Sequence, residues 1–231
     1  MDASNKTDRH WVLIAIVLFG SIWGMLECIL GSIKLSGALE NFPMGAFLGG
    51  FFGLGLMALT RKVYAVMWMQ LGMGLVAGFL RFWAPIGTCV VCSALAIVAE
   101  SFVFELIFNR QLLDIRGQRA REMGPRTLIP LGIISAYAIY VVGYLFTQTF
   151  TPIIAQPHNF VLSDLIAALP LIFGRGFFAA IFGALSLPIA ALYGQSVFEP
   201  AKFGRARYYA ASIAITAICW IAVIARFYIV W

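Results

Sequence analysis

Apolar residues fall into seven long stretches, near 11–30, 43–59, 63–82, 89–108, 127–150, 165–193 and 208–229, separated by short polar connections. A helix needs roughly 20 mainly apolar residues to cross a bilayer, and each stretch meets or approaches that length. The longest polar connection, Asn109 to Arg126, is too short to hold a core of its own. The pattern therefore predicts an all-α, polytopic membrane bundle of six or seven transmembrane helices. It divides into a tail over 1–10, a six-span membrane domain over 11–195, and a connection plus one additional helix over 196–231.

Local signals refine the ends of these elements. The mixed connection 31–42 lies before Pro43, which starts the second span. Ser163 or Asp164 is placed as a helix N-cap, and Pro170 and Pro188 predict a bend in the over-long sixth stretch. The stretch from Thr151 to Asn159 is expected as an outward-facing loop. Glycines recur four apart at Gly20 and Gly24, at Gly45, Gly49 and Gly53, and at Gly74 and Gly78. Such spacing lets helix backbones approach closely. Two readings stay open, packing within the bundle or docking onto another membrane protein through the first span.

Composition agrees with a membrane class: 62% of residues are hydrophobic and 11% charged, against about 25% charged in soluble domains. The net charge of +6 is a topology signal and no indication of nucleic acid. All basic residues except Lys34, Arg81, Arg175 and Arg226 lie before the first stretch or on alternate connections after it. Basic residues are retained on the cytoplasmic side, so the amino terminus is expected inside and, with seven spans, the carboxyl terminus outside. The first stretch resembles a signal peptide superficially, but its length and Glu27 favour an uncleaved anchor.

Few residues can carry chemistry. Charged side chains within spans are costly and invite a functional hypothesis. Glu27 lies near the outer end of the first span, one turn from Trp23. Glu100 and Arg175 fall at comparable depth near the midplane, where they form either a structural ion pair or part of a ligand cavity. Glu105 sits closer to the cytoplasmic side. Trp83 and Arg81 stand near the outer face, as pocket wall or as an interface belt. Cys89-Val-Val-Cys92 opens the fourth span on the outer side, where Cys28 also lies. This arrangement leaves open a redox pair, a soft-metal site, or plain packing, whereas Cys219 reads as packing. No second CxxC or histidine cluster accompanies it, so no metal is assigned. With no G-x-x-x-x-G-K-[ST] loop, the chain has no such route to ATP hydrolysis.

Three segments carry a family likeness: Trp23-Gly24-Met25-Leu26-Glu27, Phe42-Pro43-Met44-Gly45-Ala46-Phe47, and Leu95 to Glu105 running into a basic loop. Over residues 11–195 the order of features resembles the S-components of energy-coupling-factor vitamin transporters, especially the hydroxymethylpyrimidine and thiamin type. The resemblance implies a prokaryotic inner-membrane subunit, not an enzyme and without a cofactor. It would bind a water-soluble vitamin near the outer face and dock onto a coupling protein that carries ATPase subunits. Trp23, Glu27 and Trp83 would line the pocket, with Glu100 and Arg175 as its floor or as a pair beneath it. Gly20 and Gly24 would take the place of the family's alanines on the docking helix. The seventh span departs from the family pattern of six. Two competing readings remain: a membrane thiol oxidoreductase using Cys89 and Cys92, and a scaffold subunit of a larger membrane complex.

Overall fold

The computed structural model describes residues 3–33, 36–37, 40–85, 90–109, 113, 115, 119–155, 162–197 and 204–229, and is all-α among them. Seven helices follow in order among these residues: α1 Ala3–Gly31, α2 Met44–Tyr64, α3 Met69–Phe82, α4 Val90–Phe108, α5 Arg119–Ala155, α6 Leu162–Val197 and α7 Arg205–Ile224. A π-helical segment, Leu48–Gly53, interrupts α2, and a second, Ala225–Ile229, continues α7. All but α3 include a segment long and apolar enough to cross a membrane. The protein is thus a multi-pass membrane bundle. Helix α3 has 14 residues, about 21 Å at 1.5 Å per residue, against a hydrocarbon core of about 30 Å.

The third stretch was expected to start near residue 63. Instead α2 runs on to Tyr64, and left-handed residues at Ala65 (φ 55°) and Trp68 (φ 65°) turn the chain into α3. Arg61 and Lys62 consequently belong to the last turn of α2 and are buried, not spread on an exposed connection. Helix α5 starts earlier than expected and contains a non-helical residue, Gly124 (φ 65°), before Pro125. It also runs to Ala155, through the first part of the segment read as a loop; 156–161 lie outside the described residues. Ser163 and Asp164 fall in the first turn of α6, and Pro170 and Pro188 are both inside it.

Six helices close a ring in the order α1–α3–α4–α5–α6–α2, with α2 returning to α1. Several of these contacts rely on glycine. A Cβ on Gly20 would lie 2.7 Å from the Met73 carbonyl oxygen, and one on Gly24 would lie 3.0 Å from Ala77 Cα, both on α3. Gly53 of α2 lies against the fully buried Trp23 indole. Outside the ring, α7 lies along α1. Trp11 stacks on Tyr208 at 4.7 Å, the Tyr64 and Tyr208 hydroxyls are 2.8 Å apart, and Trp220 Nε1 donates to Ser21 Oγ at 2.9 Å. These contacts fix the seventh helix as an addition to a six-helix ring.

Polar side chains gather at the two ends of the ring. At the end holding the α2–α3 turn, Arg61 and Glu105 form an ion pair at 3.2 Å, both side chains fully buried. Glu105 accepts from the Gln70 backbone N–H at 3.1 Å, in the first turn of α3. Arg61 donates to the Val66 and Phe108 carbonyls and to Asn109 Oδ1. The pair satisfies groups that helix ends leave without intrahelical partners. This ties α2, α3 and α4 together and closes that end.

Candidate ligand cavity

The opposite end of the ring holds a cavity of about 380 Å³. Because successive helices reverse direction, the end of α1, start of α2, end of α3 and start of α4 meet here with the later part of α5 and the early part of α6. They bring Glu27, Arg81, Glu100 and Arg175 into one wall system. A volume of this size lies within the usual range for small-molecule sites, about 300–1,000 Å³.

Glu27 is half-buried on α1 and accepts a hydrogen bond from Trp23 Nε1 at 3.2 Å. Trp23 itself is fully buried behind the cavity, so it positions Glu27 and does not offer its ring to a ligand. Arg81 is buried (6% exposed) at the end of α3 and donates to the Ala84 carbonyl at 2.8 Å and to Ser93 Oγ at 3.2 Å. Its charge acts on Glu27. Glu100 is 8% exposed and makes no hydrogen bond or ion pair among the described residues. Its side chain fits between α2 and α5 because glycines face it on both. A Cβ on Gly49 would be 3.1 Å from Glu100 Oε2, and one on Gly143 would be 2.9 Å from Glu100 Cγ. Gly49 lies in the π-helical segment, a distortion frequent at functional sites.

Glu100 and Arg175 share the cavity but form no ion pair within 4 Å, so of the two arrangements left open the structural pair is not made. Arg175 and Glu100 both lie within electrostatic reach of the Tyr140 phenol. Trp83 does not line the cavity: it is half-exposed on the outside, beside Phe79, and its carbonyl accepts from Tyr228 in the π-helical segment that continues α7. One residue past the end of α3, its side chain turns outward, whereas Arg81 turns in. Gly20 and Gly24 are buried against α3 and so are not on a free docking face.

Cys92 is disulfide-bonded and lines the cavity, while Cys89 lies outside the described residues. Cys28 and Cys219 are free and buried, with Cys28 Sγ 3.8 Å from the Leu80 carbonyl oxygen. No group of three metal-ligating side chains exists among the described residues. Sequence reasoning missed Tyr140, Tyr144, Thr147 and Gln148, which complete the wall from α5. Their spacing on one helix face was a signal, but nothing in the chain alone says that this face turns inward.

Arranged this way, the site offers two carboxylates, two guanidinium groups and an aromatic pair, Tyr140 and Tyr144, with ring centroids 5.5 Å apart. It can hold a polar small molecule by ionic and hydrogen-bond contacts. Gly49→Ala is expected to crowd the Glu100 carboxylate and lower ligand affinity more than it lowers the melting temperature. Titration and thermal unfolding of the same preparation check this. Compared with protein-family models, curated proteins and solved structures, the chain matches none.

Proposed function

We propose that this chain is the substrate-binding membrane subunit of an uptake transporter for a vitamin or vitamin precursor, an S-component of the energy-coupling-factor type. It works in a prokaryotic inner membrane with separate coupling and ATPase subunits. One observation carries the reading: a charged, small-molecule-sized cavity at one end of a six-helix ring whose other end is tied by the buried Arg61–Glu105 pair. With the amino terminus cytoplasmic, the cavity faces outward. Binding and reorientation of the whole bundle then deliver the ligand, without covalent chemistry. Because Gly20 and Gly24 face α3 and α7 covers part of α1, the coupling subunit engages another face.

Purified protein titrated against a panel of water-soluble vitamins, thiamin included, tests the reading. At least one ligand is expected to raise the melting temperature, and Glu27→Gln to weaken it roughly tenfold or more, the loss of a charge-assisted contact. ATPase subunits are expected to co-purify in mild detergent. No stabilising ligand and unchanged affinity in Glu27→Gln would overturn it.

A second reading, a membrane thiol oxidoreductase, is favoured by the oxidised Cys92 in the cavity wall. It expects a membrane-impermeant maleimide to label Cys89 and Cys92 only after reduction, and Cys92→Ser to abolish function. Thiols that are never oxidised, or a silent Cys92→Ser, exclude it.

A further inference from the structure

Glu100 is the more deeply buried of the two cavity acids. It is more than nine-tenths buried within a span, has no hydrogen-bond or ion-pair partner among the described residues, and has its other electrostatic neighbour, Glu27, of the same sign. A carboxylate held in low dielectric without a partner costs several kcal/mol, and a bound cation offsets that cost. Arg81 cannot serve both acids, since its guanidinium is already directed to the Ala84 carbonyl and Ser93 and its charge acts on Glu27. Arg175, half-buried on α6, makes no ion pair with either carboxylate among the described residues. Glu100 and Arg175, which could neutralise each other, thus line one cavity without pairing.

We propose that the ligand of this cavity is a small zwitterion, bound with its protonated amine at Glu100 and its anionic group at Arg175. The inference rests on the reading of the cavity as a ligand site and adds the chemical class. A purely cationic ligand satisfies the acids and leaves Arg175 unanswered. A purely anionic one meets two carboxylates. A neutral ligand leaves both charges as they are. A zwitterion completes the series Glu100, ammonium, anion, Arg175, with Tyr140 within electrostatic reach of both protein charges and the Tyr140–Tyr144 pair as a wall for an aromatic body.

The test uses full-length protein in detergent and calorimetric titration with 3- and 4-(aminomethyl)benzoate. Their methyl esters keep the amine alone, their N-acetyl derivatives keep the carboxylate alone, and thiamin serves as a cation without a carboxylate. At least one zwitterion is expected to bind roughly tenfold or more tightly than either of its own derivatives, as charge-assisted contacts require. Glu100→Gln should erase the penalty of N-acetylation and leave that of esterification, and Arg175→Gln should do the reverse. The ligand comparison on unaltered protein needs no variant, so a misfolded mutant does not shield the proposal. Equal or tighter binding of an ester or of thiamin, or no binding by any aminomethylbenzoate, overturns it. Thiamin binding with recovered ATPase subunits would overturn this inference alone and leave the uptake reading standing. Failure of the entire vitamin panel and of co-purification removes that reading instead.

Discussion

Arg61→Ala is expected to cost about 3–5 kcal/mol of stability, because it leaves Glu105 buried without its cation. The loss spreads beyond one ion pair. The same guanidinium holds the Val66 and Phe108 carbonyls, and Glu105 holds the Gln70 N–H at the start of α3. Replacing both partners, Arg61→Met with Glu105→Met, should recover much of the loss, since no stranded charge remains. Size-exclusion profiles after stepwise heating measure both effects. An Arg61→Ala protein that survives heating as well as the wild type would show that the pair does not hold this end closed.

Gly20→Leu is expected to prevent close approach of α1 and α3. A Cβ at Gly20 would already lie 2.7 Å from the Met73 carbonyl oxygen and from Val76 Cβ, and a leucine adds three carbons beyond it. Overpacking of this kind costs about 1–3 kcal/mol and often more when backbone must move. The expected outcome is a low yield of monodisperse protein, whether or not a coupling subunit is present. A well-folded Gly20→Leu protein that has lost only its membrane partners would return Gly20 and Gly24 to a docking role. The two outcomes separate the two readings that the glycine spacing left open.

The number and placement of the helices were legible in the sequence because each apolar stretch reports its own contact with lipid. Turn chemistry was less so. Nothing local marked Ala65 and Trp68 as left-handed, and so Arg61 and Lys62 read as a surface connection. For the site, Glu27, Glu100 and Arg175 could be found one by one, as charges where charges are costly. Arg81 was legible as a charge near the outer face, but its direction was not: neighbouring Trp83 turns to the outside and Arg81 to the cavity. The tyrosines of α5 carry no charge to draw attention.

By itself, the sequence determined the class of protein, seven mainly apolar segments, and a short set of charged residues that could matter. These follow from the cost of exposing peptide groups and charges to lipid, which each segment meets alone. Only the tertiary structure decided which of those residues meet. It placed Glu100 and Arg175 in one cavity without pairing them, gave Arg61 to Glu105, turned Gly20 and Gly24 inward, and laid α7 on α1 outside a closed ring of six. Partnership of this kind depends on the rotation of each helix about its own axis. That rotation is set by steric fit between neighbours, such as glycine against Met73 and Ala77, and no single segment contains it.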